Sequence, residues 1–431
     1  MGAFDRQLAA ALHAPAQGSE WLAGPLSAAR ARWLGTPWPT RKTEAWKYTS
    51  LDALEAEAWL RVPAPASQPI AAPRIAGLDA DYLVFRNGRF DAAASAFQPA
   101  PGIRLTPFSA AGDEDREFLG QHMGAVEAEA PSLFADLAGC WSAEGLLLRI
   151  AGGARAPRPV CVVHLTDPAA APCAWGQRLF LQAGPGSEST LIEYFPASGA
   201  AFVAGLTEIS LAAGARLAHL RLQLDAPASV HLGSVHTSLG PSASYESLVF
   251  ATGSRLKRLD LRSAHHGPGA ELRSDGVYLA RASQLVDIHS AVDHASPQGR
   301  TAQSWRGIVH DEARAVFNGR ILIRPGAART AASLSNRNLL ASDRAEVDTK
   351  PELEIYADDV SCSHGATVSR IDGKSLYYLR SRGISLADAE LMLSFGFLNE
   401  LIGAASVPAV RSLLESELRA WFGSRAVEAC A

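Results

Sequence analysis

The run Asp358-Asp359-Val360-Ser361-Cys362-Ser363-His364-Gly365 is the sharpest chemical feature of this chain. In an extended backbone, residues two apart share a face, so Cys362 and His364 project to the same side. A thiolate and an imidazole at that spacing suit iron or zinc. Two ligands do not complete a metal cluster, which takes about four, so further ligands must come from elsewhere in the chain or from another chain. The plainer alternative is a core cysteine beside a histidine that bonds a neighbour. A second group, Asp287, His289, Asp293 and His294, is dense in ligand types. In a strand Asp287 and His289 share one face, and solvated strand-end residues are the competing reading. His265-His266 stands beside Gly267-Pro268-Gly269, which reads as a surface turn.

Other chemistries find no support. The sequence lacks a GxxxxGK[ST] phosphate loop, a GxGxxG turn, a GxSxG elbow and an HExxH pair, so the chain is not expected to hydrolyse ATP or to be an enzyme of those classes. The five cysteines, Cys140, Cys161, Cys173, Cys362 and Cys430, form no CxxC pair. That scatter argues against a disulfide framework and against a self-contained zinc or cluster site.

The elements that must position Cys362 and His364 come from a chain of 431 residues, 48% apolar and 19% charged, with net charge −4. It is long enough for a large core and more than one structural unit. The charge balance gives no reason to expect nucleic acid or anionic lipid as a partner. The N-terminal apolar run is broken by Asp5, Arg6 and Gln7, and no apolar run is long enough to span a bilayer. A cytoplasmic protein without membrane attachment is the expectation.

Three regions separate. Residues 1–75 read as short amphipathic helices, with Trp21, Leu22, Leu26, Trp33 and Leu34 at helical spacings, then PTRKTEAWKYTSL and a Pro/Ala-rich connector. Residues 76–384 carry successive short β-like runs, among them DYLVF, PVCVVHL, STLIEYF, ARLAHLRLQL, LKRLDLRS and ILIRP. Helical segments are nearly absent from Phe180 to Tyr378, which excludes a doubly wound α/β sheet. A faint repeat marks Ala215, Ala243, Ala270, Ala282, Ala313 and Ala345, mostly about thirty residues apart with one much shorter gap. The fold class expected is mainly β: a right-handed parallel β-helix-like core flanked by helical N-terminal and C-terminal regions. A β-sandwich is the alternative.

Residues 385–431 read as two helices. Ser385 and Asp388 fit a capping box, and Met392, Phe395, Leu398, Leu401 and Ile402 form one apolar face. Pro408 suits the first turn of a second helix, striped by Val410, Leu414, Leu418, Trp421 and Phe422. The helices either pack only on the β region or also offer a face to a partner.

The segment NRNLLASDRAEVDTKPELEIYADDVSCSHGATVSRIDGKSLYYLRSRGIS, residues 336–385, resembles the C-terminal hallmark of the SufB/SufD family. DTKPELEIYADDV, CSHGAT and YYLRSRGI match as consecutive blocks, and PTRKTEAWKYTSL is similar to the lead-in of the SufD branch. SufB-like chains are longer and carry an N-terminal group of cysteines. Here no cysteine precedes Cys140, and none lies between Cys362 and Cys430, which favours the SufD branch.

The resemblance implies a β-helix core between helical ends and a scaffold role in SUF iron–sulfur cluster assembly and iron acquisition. It implies SufB as a partner through the β-helix, and two copies of the SufC ATPase, with docking on the C-terminal helices through Met392, Phe395, Leu398 and Trp421. His364 takes the place of the family's CSHGAT histidine, which serves a transient nascent cluster shared with SufB. Cys362 has the weaker claim, and Asp358 or Asp359 would fix the second ring nitrogen of His364. No cluster held stably by the chain alone is expected. The family is also linked to reduced flavin, for which no motif is present. The rivals are a SufB-like scaffold that pairs with itself and a β-helix enzyme acting on polysaccharide, which needs paired carboxylates in a groove. A homodimer is a form open to the chain when alone.

Overall fold

The computed structural model describes residues 4–12, 20–55, 57–61, 71–124, 132–168 and 172–428. Residues 62–70 of the Pro/Ala connector and Cys430 lie outside the described residues.

Strands along the chain alternate between a ten-stranded and a nine-stranded sheet. From Leu146–Ile150 to Ser361–Arg370 each strand joins the sheet opposite its predecessor, so two strands make one turn and eight turns stack as a parallel β-solenoid. Pairing is in register: Arg216, Ser244, Glu271, Arg300, Ala331 and Ser361 form one column. Their spacings of 28, 27, 29, 31 and 30 residues are the period seen faintly in the sequence. The parallel pairing excludes the sandwich. The short gap in the alanine repeat has a simple cause. Ala215, Ala243 and Ala270 precede strands of the ten-stranded sheet, whereas Ala313 and Ala345 precede strands of the nine-stranded sheet. Ala282 sits in the turn before Leu285–His294 with φ 53°.

A parallel sheet is normally covered on both faces, and here helices cover the outside. Leu133–Cys140 and the N-terminal segments lay Trp33, Trp46, Phe134 and Trp141 against Phe202, Leu206 and Leu232 of the nine-stranded sheet. The helices Leu386–Gly403 and Pro408–Glu428 lay Leu398, Ile402, Leu414 and Trp421 against Ile192, Leu220, Val277 and Ile308 of the ten-stranded sheet. The helix Gly373–Ser381 begins inside the stretch read as helix-free, and so inside the 76–384 region. Ser385 accepts the Asp388 amide at 3.1 Å but donates its hydroxyl to the Asp388 carboxylate at 2.6 Å, so the return bond goes to a side chain rather than to the Ser385 amide. No helix among the described residues is long and apolar enough to cross a membrane.

The inner face mixes apolar layers with buried polar networks. Trp305 lies over Gly276 and Tyr278 over Gly307, each ring occupying the place of a missing Cβ on the adjacent strand. Buried Glu193 accepts from Arg221 at 2.5 Å, Gln177 at 3.0 Å and Thr207 at 3.0 Å, and contacts His219 at 2.9 Å. Burial would raise its pKa, but the Arg221 charge and the His219 bond hold it well below the carboxylate range. Asp225 pairs with Lys257 at 2.8 Å and with His231 at 3.0 Å.

Four buried imidazoles give the fold an acid sensitivity. Burial, first among the causes, pushes His164 and His265 down to about 3, and His236 and His294 down to about 4. An unfolded histidine titrates near ~6.5, so below that pH the unfolded chain takes up protons that the folded chain refuses. Stability therefore falls as pH drops from ~6.5 toward ~4, by about 1–2 kcal/mol per imidazole at pH ~5. Urea unfolding followed by circular dichroism should show a clearly lower midpoint at pH ~5 than at pH ~7.5. Equal midpoints would contradict this origin.

Candidate functional site

The two ends of the solenoid differ. At the N-terminal end the stack finishes in short antiparallel pieces: Arg89–Phe90 on Asp81–Arg86, and Ile103–Pro107 on Leu146–Ile150. At the other end Glu346–Ile355 is the edge of the nine-stranded sheet and Ser361–Arg370 the edge of the ten-stranded sheet. Both are ten residues long, and among the described residues no strand pairs with their outer sides. Long open edges are a template for pairing with another chain. Pro351, in the Glu346 strand, fits an edge position, where its missing N–H is tolerated.

Cys362 and His364 lie on this last turn. Cys362 stacks over Ala332 and His364 over Leu334, both inward-facing core residues, so the shared face expected from the spacing is the inner face of the solenoid. With no further turn above them, the inner face becomes a surface. Cys362 is half-buried and packs against the core. Burial pushes its thiol pKa up, so at neutral pH it is a thiol unless a metal or a cationic partner stabilises the thiolate. His364 is exposed and has no hydrogen bond or ion pair among the described residues.

Beneath this mouth a polar floor is already satisfied. Thr349 donates to Asn336 at 2.8 Å, Asn338 donates to Asn336 at 2.7 Å, and Asn336 donates to the Tyr278 hydroxyl at 2.9 Å. Along the outer face of the Glu346 strand, carboxylates are engaged from the strand below: Asp348 by Arg314 at 2.6 Å, Glu352 by Asn318 at 2.7 Å and Glu354 by Arg320 at 2.7 Å. Ile355, Tyr356 and Val368 of the last turn, and Tyr377 and Tyr378 of the following helix, are exposed. That helix buries no residue. Exposed aromatic and aliphatic side chains of this kind mark interaction surfaces.

Asp358 and Asp359 stand in the turn before the Ser361 strand, both exposed. Asp359 has φ 55°, and its carbonyl accepts the Arg329 amide at 2.7 Å. Four residues separate it from His364, a reach of up to about 16 Å in extended chain. Neither carboxylate bonds the imidazole, so the structure does not bring together the carboxylate–histidine pair expected from the sequence.

Among the described residues no three His, Cys, Asp or Glu side chains are arranged to hold a metal. Asp287 and His289 do share a face at 2.9 Å. Asp287 is buried, however, and also holds Arg258 at 2.8 Å and Thr49 at 2.6 Å, which makes it an anchor for the N-terminal segment. His265 is a fully buried strand residue against His294, not a surface turn residue. Cys140, Cys161 and Cys173 are buried, and burial raises their thiol pKa values.

The helical face expected to dock a partner divides. Met392 is exposed and Phe395 half-buried. Leu398 and Trp421 are buried against the solenoid, which corrects their assignment as partner contacts. Arg306 adds to this attachment by bonding the Phe397 carbonyl and the Glu400 carboxylate, and Arg281 bonds the Trp421 carbonyl at 3.2 Å. Tyr377 and Tyr378 were not singled out from the sequence. The available signal was a tyrosine pair in a short segment bounded by Asp372 and Gly383.

The model of the SUF system FeS cluster assembly SufBD core domain matches residues 167–397, more than half of the chain and all of the last turn. The chain belongs to the SufB/SufD family. Its relatives place it on the SufD side. It is 33% identical over 86% of its length to the iron–sulfur cluster assembly protein SufD of Escherichia coli, of which 86% is covered. It is 28% identical over 84% of its length to an iron–sulfur cluster assembly SufBD family protein of Synechocystis, of which 83% is covered. In this SufB/SufD chain the C-terminal helices are part of the core. Trp421→Ala should cost about 3–5 kcal/mol, whereas Met392→Ala should change stability by no more than ~0.5 kcal/mol. Denaturant unfolding of the two variants checks the assignment, and a Met392 loss as large as the Trp421 loss would overturn it.

Proposed function

We propose that this chain is a non-catalytic, cytoplasmic SufD-type scaffold of iron–sulfur cluster assembly that pairs with a SufB-type partner through the open final turn. The single observation that carries the reading is that Cys362 and His364 lie on an inner face left uncapped between two ten-residue open edges. A partner strand pairing at either edge would satisfy the exposed backbone and bring its own ligands opposite His364. The nascent cluster is cargo built across that junction. His364 supplies a nitrogen ligand or orients one, and Cys362 plays a lesser part because its thiol is held protonated. Two side chains fall short of the about four ligands a cluster takes, so the isolated chain holds no stable cluster. The names of the relatives, SufD in Escherichia coli among them, support this role.

A SufC-type ATPase would dock on the outer side of the C-terminal helices, where Met392 is exposed and Phe395 half-buried. Truncation from Ser385 would be a poor probe, because it strips Leu398, Leu414 and Trp421 from the ten-stranded sheet. Met392→Glu tests docking without that damage.

His364→Ala should leave folding and complex assembly nearly intact, since an exposed side chain usually contributes no more than ~0.5 kcal/mol, yet severely reduce cluster formation. Growth that depends on the SUF system as the only assembly route, beside co-purification of SufB and SufC, reads both properties. Cys362→Ser should be milder. Normal growth of the His364 variant would remove the ligand role, and poor growth with a broken complex would assign His364 to packing at the interface.

A further inference from the structure

The two open edges of the last turn differ in what their backbones offer. In a strand the N–H and C=O of one residue point to one neighbour, and those of the next residue point to the other side. The Glu346 amide donates to the Ala313 carbonyl at 3.1 Å, and the Tyr356 amide donates to the Ile323 carbonyl at 2.9 Å. Pairing between these ends runs without interruption from Glu346 to Ile355. Glu346, Asp348, Lys350, Glu352 and Glu354 therefore turn their backbones to the strand below. Val347, Thr349, Pro351, Leu353 and Ile355 turn theirs to the open side. In the other edge strand the Ser361 amide donates to the Thr330 carbonyl at 2.9 Å, so Cys362, His364, Ala366, Val368 and Arg370 face the open side.

The Ser361 edge thus presents five N–H groups in an unbroken row. The Glu346 edge presents four, because its middle position is Pro351. Proline lacks the N–H, and its ring carbon occupies the direction in which that hydrogen would point. A strand laid along this edge meets two short rows of donors, Val347 with Thr349 and Leu353 with Ile355, and a methylene between them. The strand's own pairing has no need of this proline. The Pro351 nitrogen faces away from Gly319, its partner on the strand below, so a residue with an N–H would keep every bond to that strand. On the outer face beside Pro351, Lys350 is held by Glu352 at 3.2 Å and by Glu44 of the N-terminal segment at 2.6 Å. Proline and charge are both devices that hold off edge-to-edge pairing.

We propose that Pro351 is a specificity-determining residue of the open final turn: it interrupts the Glu346 edge so that a second copy of this chain pairs there only weakly. A two-fold pair of copies that uses this edge brings in both prolines, and the gap then counts twice. Specificity of this kind comes from a contact that is denied as much as from contacts that are made. The Ser361 edge, which carries Cys362 and His364, keeps the continuous row. The inference rests on the final turn being an interface and adds which of its positions limits self-pairing.

Sedimentation equilibrium of the full chain alone tests it. Pro351→Ala removes apolar carbons and restores the N–H, so a gain in association cannot come from added hydrophobic surface. It should tighten self-association at least about tenfold over the unsubstituted chain. Pro351→Val should do the same, and it decides the matter if Pro351→Ala does not fold. Hydrogen exchange should show the restored amide at position 351 becoming protected as the protein concentration rises. Self-association no tighter than that of the unsubstituted chain up to ~200 μM would overturn the role of Pro351. So would tightening that leaves the amide at 351 unprotected. Co-purification of the unsubstituted chain with a SufB-type protein reads the interface separately: its failure would remove the interface reading, whereas unchanged self-association of the variants would remove only Pro351.

Discussion

A parallel stack of strands cannot satisfy its own last member. Each turn of this solenoid gives its outward backbone N–H and C=O groups to the next turn, in register, for eight turns. At the N-terminal side the stack ends in a two-residue strand and a five-residue antiparallel strand, so little edge remains. At the C-terminal side two full-length strands remain open. Natural sheets blunt, charge or cover such edges. Here the charges along the Glu346 strand point to the outer face and are engaged from below, while no strand among the described residues pairs with the edge itself. The same end carries Cys362 and His364. On the proposed reading chemistry and assembly share one surface, and a partner that completes the sheets also completes the site.

The inner face explains why that surface is suited to a polar task. Most of the stack buries aliphatic layers, yet the column also holds Glu193 with Arg221, Asp225 with Lys257, and the Asn336–Asn338–Thr349 network just below the mouth. Buried ion pairs contribute little net stability, because desolvation offsets the attraction. Here Glu193 is held by several partners at once, and the hydrogen-bonded Asn336–Asn338–Thr349 floor lies directly beneath the last turn. On the outside, Arg306 and Arg281 tie the C-terminal helices to the ten-stranded sheet.

Much of this was legible in the sequence, for identifiable reasons. Runs such as PVCVVHL and STLIEYF are rich in branched and aromatic residues and read directly as strands. The period near thirty residues survived because a small alanine precedes several of the strands, at Ala215, Ala243, Ala270, Ala313 and Ala345. Other strands, including Arg300–Val309 and Ala331–Leu340, were not read as strands. Most of their residues are small or polar, and their conformation is imposed by stacking on the turn below. The division of the C-terminal helices was hidden for a different reason. Periodicity identifies an apolar face, and Met392, Leu398 and Trp421 all satisfy it, but it does not say which members meet the sheet. The placement of His364 followed from the alternation of a strand, whereas its exposure followed only from its being on the last turn.

The central claim is that the open final turn is an interface completed by another chain. Hydrogen exchange on residues 346–370, measured for the chain alone and for the chain co-purified with a SufB-type protein, tests it most directly. Amides of the two edge strands that exchange quickly in the isolated chain should become strongly protected in the complex, while the earlier turns stay as protected as before. A stable complex in which residues 346–370 gain no protection would contradict the account.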